Sequence, residues 1–319
     1  MLPRTIALIA IFAASTFAAI DPVLLNLVMP DAKVLTGIQV DQSVTSPFGQ
    51  YLLAQMQSND AGFVQFVAAT GFDPTRDLKQ MIAATGDTTA NPNNAVILGR
   101  GSFLVTQITA AVTANGGTVT PYGGFNILTT PAGKNSNGAI VFLDNTTTVI
   151  GGLPAVQAAI DRYNAHASYT GNLATSAQTV SGSNSAWFTT QTPLSDFLNG
   201  KLPGNAGALS QNNLFQSVIA ASGGINFGTN SVVVTADALT TSPQNAQALV
   251  DVLKFLVSMV QTNANNQTIT TLADAATFTA NGATTHMSLS LSEQQAEQLF
   301  MNSATPNARP ARKRPAQQR

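Results

Sequence analysis

The sequence predicts an α+β protein made of two similar halves, each a mostly antiparallel sheet with helices packed on one face. Three observations carry that expectation. Ser46-Pro47, Asp73-Pro74, Thr192-Pro193 and Ser242-Pro243 each set a capping side chain before a proline. The side chain takes up a free backbone N–H, and proline in the first turn gives up no hydrogen bond, so each pair announces a helix. Between these starts lie short runs of alternating apolar and polar residues, the period of a half-buried strand. The order of elements in the first half then recurs in the second.

Met1 to Ala19 read as an export signal. Arg4 supplies the positive start, Thr5 to Ala14 the apolar run, and Thr16 and Ala18 the small residues of a cleavage site after Ala18. The run is shorter than the about 20 residues needed to span a bilayer. No later segment holds 18 unbroken apolar residues, so no transmembrane segment is expected after cleavage. Leu24 to Val28 open the mature chain as an apolar run, and Lys33 to Val40 alternate as a strand, with Val34 and Ile38 among the apolar positions. Phe48, Leu52, Leu53 and Met56 share one face of the helix after Pro47. Strands follow at Ala95 to Leu98, Ile127 to Thr129, Ala139 to Leu143 and Thr147 to Ile150, and Ala155 to Tyr163 reads as a helix. Gly116-Gly117, Gly123-Gly124, Gly151-Gly152 and Gly223-Gly224 read as turns.

The second half contributes strands at Ala186 to Thr189, Ser231 to Ala236, Ala275 to Ala280 and Thr284 to Leu291. In the last of these, Thr284, His286, Ser288 and Ser290 lie on one face and Thr285, Met287, Leu289 and Leu291 on the other. Leu249, Leu253, Leu256 and Val260 form one face of the longest helix, about Pro243 to Gln261, and Ser292 with Gln295 makes a capping box for a final helix through Phe300. The expected division is a signal at 1–18, a first α+β domain at 19–164, a Ser/Thr/Asn/Gly-rich linker at 165–185, a second α+β domain at 186–302 and a disordered basic tail at 303–319. The matching order suggests an internal duplication of low residue identity.

Hydrophobic residues make up 44% of the chain, enough for a substantial core, whereas charged residues make up only 9%, far below the about 25% usual in soluble domains. Residues 20 to 305 hold eight basic and fifteen acidic groups, a net charge of −7, and the last eleven residues add five basic ones. There is no cysteine, which removes disulfides, thiolate nucleophiles and cysteine-based metal sites.

The run Leu24-Leu25-Asn26-Leu27-Val28-Met29-Pro30-Asp31-Ala32-Lys33-Val34, with Ser46-Pro47-Phe48-Gly49 and Gly71-Phe72-Asp73-Pro74-Thr75-Arg76-Asp77-Leu78, resembles a group of uncharacterised exported bacterial proteins. The similarity covers most of the mature chain. It implies export, to the periplasm or exterior, and carries no activity.

Catalytic chemistry is thinly represented. His166 reads as a solvated linker residue and His286 as an exposed strand histidine; as a general base His286 has no nucleophile or orienting carboxylate at a recognisable spacing. Two isolated histidines make no metal site, and no cofactor is implied. No Gly-x-Ser-x-Gly and no Ser-x-x-Lys occurs. Gly99-Arg100-Gly101-Ser102 lacks the later glycine and the lysine of a phosphate loop and reads as a tight strand exit, with Arg100 as a scarce charge able to face a ligand. In Asp73-Pro74-Thr75-Arg76-Asp77 the acids read as helix-start residues. Trp187 reads as core. Glu293 and Glu297 share an exposed helix face. Arg309, Arg312, Lys313 and Arg314 suit an anionic surface such as lipid headgroups, at about 1 kcal/mol per charge, or serve as a solvated terminus; export argues against nucleic acid.

Three function classes remain open. One is an exported non-enzymatic protein that binds an unknown protein or small-molecule ligand, favoured by the empty catalytic inventory. Another is a carrier of a small apolar or lipid-like ligand, with Met287 and Leu289 lining a cavity. The third is a hydrolase built on a carboxylate pair drawn from Asp144, Asp161, Asp237 or Asp274.

Overall fold

The computed structural model describes residues 19–59, 67–86, 94–129, 138–193, 214–263 and 273–304. The signal, the start of the helix expected after Pro193, and Arg309, Arg312, Lys313 and Arg314 lie outside these residues. Among the described residues, twelve strands form one antiparallel sheet in the order β11-β12-β10-β9-β8-β1-β2-β3-β7-β6-β5-β4. The strands are β1 (Val34–Gln39), β2 (Leu78–Thr85), β3 (Ala95–Gly101), β4 (Thr118–Tyr122), β5 (Phe125–Thr129), β6 (Gly138–Phe142), β7 (Thr147–Gly152), β8 (Ala186–Thr190), β9 (Val218–Phe227), β10 (Ser231–Thr240), β11 (Ala276–Asn281) and β12 (Thr284–Ser292). The protein is therefore α+β, with a large antiparallel sheet. β1 joins the two sides, pairing with β2 along one edge and β8 along the other.

The helix starts are local and are built as their side chains dictate. Ser46 Oγ accepts from Gly49 N at 3.0 Å and opens α3 (Pro47–Asn59), and Ser242 Oγ accepts from Asn245 N at 3.2 Å and opens α8 (Pro243–Asn263). Ser292 and Gln295 exchange both bonds of a capping box, at 2.8 and 3.3 Å, before α9 (Glu293–Ala304). Asp21 caps α1 (Pro22–Asn26), and a short α2 (Val40–Ser43) follows β1.

Asp73 also caps a helix, but α4 (Pro74–Asp77) ends after four residues. From Leu78 burial alternates, with Gln80, Ile82 and Ala84 buried, and pairing with β1 and β3 claims the segment. The cap prescribes a start and has no influence on length.

Helices cover both faces of the sheet, which corrects the expectation of a single covered face. On one face the main core gathers Leu35, Ile82, Leu98, Val141 and Val149 beneath α1, α6 (Leu153–Asn164) and α7 (Asn172–Ser181). On the other, Ile140 and Phe142 pack with Phe103, Ile108 and Leu128 under α5 (Val105–Ala114). Ile140, Val141 and Phe142 are successive residues of β6, so the alternation of strand side chains puts these clusters on opposite faces. The helix face of α3 and α9 gathers Phe48, Phe227, Val232, Leu291 and Ala296.

Residues 165–185, expected as a linker, hold α7. Leu173, Ala174, Ala177 and Val180 are buried in the main core. Half of the stripe is alanine and it is flanked by Ser and Thr, so its composition reads as polar although its spacing is helical. Trp187 is core as expected, 4% exposed and inside the main cluster.

Candidate functional site

The strands β1, β8, β9, β10 and β12 carry two pockets back to back. Their registers align Val34, Thr190, Ala221, Ala238 and Thr285 in one row and Thr36, Phe188, Gly223, Ala236 and Met287 in the next row of the same face. Over this face runs α8, tied down where Thr285 Oγ1 donates to the Ala246 carbonyl at 2.9 Å. Between helix and sheet is a cavity of about 420 Å³, bounded above by Leu249, Leu253 and Phe215. Its floor is made of Ala221, Ala236 and Ala238, with Gly223 in the same rows. Short side chains under a helix leave the volume that leucines would fill. Phe188 at its edge is 38% exposed, so the apolar surface is open to an incoming ligand.

The opposite face of the same strands is polar. Thr189, Ser222, Asp237, His286 and Thr279 stand in one cross-strand row. His286 Nδ1 lies 2.7 Å from Asp237 Oδ1, and the two side chains are 45% and 49% exposed. They border an open cleft of about 570 Å³ that also involves Ser176 on α7, Gln191, Ser222, Leu239, Asn281 and Thr284. Sequence reasoning had His286 exposed on the polar strand face and missed its carboxylate, which lies 49 residues away in the chain and is brought opposite by register alone.

Serine, aspartate and histidine in one row invite comparison with a nucleophilic triad, and their order argues against it. Histidine must stand between the serine whose proton it takes and the carboxylate that orients it. Here Asp237 is central, with Ser222 on β9 and His286 on β12. Adjacent strands lie about 4.8 Å apart, which puts serine and imidazole about 10 Å from each other. The array can orient a polar ligand; it cannot pass a proton from Ser222 to His286.

Several other charged residues among those described hold the fold. Arg100 Nε lies 3.0 Å from Asp21 Oδ2, and its Nη1 donates to Thr147 Oγ1. Asp21 is also the cap of α1, so Arg100 pins the start of that helix to β3. Gly101 ends that strand where a Cβ would fall 2.1 Å from the Asp77 carbonyl oxygen. That close approach makes the glycine-rich stretch a strand exit. Arg76 binds both Asp77 oxygens, at 2.6 and 2.7 Å, and this hydrogen bonding holds the Asp77 carboxyl below the usual range. Arg162, on α6, donates through Nε and Nη2 to the Leu27 carbonyl at 3.2 and 2.8 Å, and burial lowers its pKa. Its role as a clamp on the chain after α1 has no sequence signature.

The four aspartates considered for a carboxylate pair have separate local partners. Asp144 accepts from Thr146 at 2.6 Å, Asp161 from the Tyr122 hydroxyl at 3.0 Å, and Asp274 from Gln261 at 2.7 Å, while Asp237 holds His286. Among the described residues, no three His, Asp or Glu side chains converge as a metal-binding group. No described helix is long and apolar enough to cross a membrane.

No protein-family model and no curated protein sequence matches the chain. Among solved structures, crystal form I of TP0453 is similar over 91% of this chain and 100% of its own, at 13% identity and a TM-score of 0.52. Crystal form III of TP0453 is similar over 89% of this chain and 99% of its own, at 11% identity and a TM-score of 0.56. At that identity the likeness extends to the fold.

Proposed function

We propose that the protein is an exported, non-enzymatic binding protein whose occupant is a small apolar, lipid-like molecule. The observation that carries this reading is the cavity of about 420 Å³ under α8, floored by alanines and bordered by Phe188, Phe215, Leu249, Leu253 and Met287. Ligand sites are typically about 300–1,000 Å³ and mostly apolar. Among the described residues, Thr36, Thr190 and Thr285 are the uncharged polar ones at its edge, and Asp237 directs its carboxylate to His286 on the far face. The occupant is therefore uncharged where it meets the protein.

A duplication of the two halves is part of the same reading. Outward from the β1–β8 seam the strand orders run β1-β2-β3-β7-β6 and β8-β9-β10-β12-β11. Each third strand is followed by a helix, α5 or α8, and each returning strand by another, α6 or α9. The extra hairpin β4–β5 extends the first half alone. On this correspondence the space under α5 is the counterpart of the cavity, and it is filled by Phe72, Phe103, Phe142 and Leu128, with ring centroids 5.3 and 6.1 Å apart. The architecture thus accepts a solid core at this place, and the hollow under α8 follows from the alanine floor.

The test is titration of the full mature chain with N-phenyl-1-naphthylamine, a neutral apolar dye, beside an Ala236→Phe variant whose ring occupies the cavity. Saturable binding that weakens by about tenfold or more in the folded variant, a change of about 1.4 kcal/mol, is expected. Absence of binding to the natural chain, or binding unaltered by Ala236→Phe, overturns the reading. Native mass spectrometry of the protein isolated from the exported fraction would identify a retained ligand by its added mass.

A further inference from the structure

We propose that the polar cleft on the opposite face of the sheet is a second binding site, for a neutral saccharide. The cleft exists because α7 packs over β8 and β9 while β10 and β12 extend beyond it. One wall is Ser176 on α7, the other is the β11–β12 hairpin at Asn281 and Thr284, and paired strands make the floor.

The lining selects the ligand by charge first. Among the described residues its ionisable groups are Asp237 and His286, already bonded to each other at 2.7 Å. An anion entering the cleft meets the Asp237 carboxylate, and a divalent cation finds one carboxylate already occupied. A neutral molecule meets neither penalty. Hydrogen bonding comes next. Among the described residues, the side chains of Gln191, Ser222, Asn281 and Thr284 border the cleft without an intramolecular hydrogen bond. Amides and hydroxyls offer donors and acceptors side by side, the complement of a ring carrying several hydroxyls. Leu239 supplies an apolar patch on the same face, 41% exposed and directly paired with Thr284. A pyranose, with a C–H face and a rim of hydroxyls, fits both kinds of surface.

A cleft of about 570 Å³ accommodates two or three sugar units within the usual size range of ligand sites. Most glycoside hydrolases use two carboxyl groups flanking the bond, and Asp237 is the one carboxylate among the cleft's described residues. The site therefore binds without cleaving. The two sites share Ala221 and Asp237 in their linings, but the side chains of the row Thr189, Ser222, Asp237 and His286 point away from the alanine floor.

Saturation-transfer-difference NMR on the full mature chain with maltotriose, cellotriose and triacetylchitotriose, each titrated separately, tests the proposal. Inorganic phosphate serves as the charged comparison. At least one trisaccharide should bind with a dissociation constant below about 1 mM. Ser222→Phe, which fills the cleft, and Asp237→Asn, which keeps its shape, should each weaken it by about tenfold. Dye binding in the apolar cavity should be unchanged in Ser222→Phe, whose ring lies on the opposite face of the sheet. The proposal is overturned if none of the three sugars binds, if phosphate binds in their place, or if sugar binding survives both substitutions. Loss of dye binding with sugar binding retained would defeat the apolar-ligand reading alone.

Discussion

Replacing Gly37 by alanine should destabilise the protein at the seam between its two sides. Gly37 on β1 directly faces Trp187 on β8. A Cβ at residue 37 would lie 2.4 Å from two carbons of the indole ring and 2.7 Å from its Nε1. Carbon atoms in contact sit about 3.5–4.0 Å apart, so the ring would have to retreat by more than about 1 Å. It has little room, being 4% exposed within the main core. A 2.4 Å approach to a buried ring puts the cost in the upper part of the usual overpacking range, about 2–3 kcal/mol. Alanine's lower chain entropy in the unfolded state returns up to about 1 kcal/mol, leaving a net loss of about 1–2 kcal/mol. Trp187 is the one tryptophan in the chain, so its emission reports on this contact in the native state and through a urea titration. A reciprocal variant sharpens the test. Trp187 Nε1 is buried without a hydrogen-bond partner, so Trp187→Phe removes bulk and sacrifices no hydrogen bond. In that background Gly37→Ala should cost at least about 0.5 kcal/mol less, a coupling expected of residues in contact. A Gly37→Ala protein within about 0.5 kcal/mol of the natural one, with unchanged emission, would refute the reasoning.

Other perturbations follow from the polar contacts. Arg162→Met should lower stability by about 1.5–3 kcal/mol, since the Leu27 carbonyl loses a charged donor, as read by denaturant unfolding; equal stability would show that the two bonds to Leu27 contribute nothing. Acid stability should depend in part on Asp144. Burial pushes its carboxyl up, but hydrogen bonds from Thr146 and Thr147, together with the Arg100 charge, outweigh that and hold it below its ordinary value of 3.8. The unfolded chain takes up this proton at higher pH than the folded one, so the contribution is present above about pH 4 and is lost as pH falls through the folded pKa. Asp144→Asn should therefore be less stable at pH 7 and show a shallower loss between about pH 4 and pH 2, measured as urea midpoints across that range; parallel acid limbs would count against it.

Legibility in the sequence followed the range of the interactions involved. Ser46, Asp73, Ser242 and the Ser292–Gln295 box act within three residues of themselves, so the chain alone announced those helix starts. The alternation in β12 likewise showed which side of the strand carries His286 and which carries Met287. Length was less legible: the same kind of cap precedes 21 residues of helix in α8 and four in α4, because sheet pairing, and not the cap, decided where α4 stops. The helix α7 was hidden by its alanines, which bury well but carry little signal in composition.

What the sequence determined by itself was therefore the α+β class, several helix starts and the two-faced character of its strands, all properties of neighbouring residues. Only the tertiary structure decided that β1 and β8 join both sides into one sheet, that Asp237 meets His286, and that three alanines and a glycine on two adjacent strands fall beneath one helix to leave a cavity. Each of these depends on strand order and register. Those are set by the packing of residues distant in the chain, and no local pattern of residues encodes them.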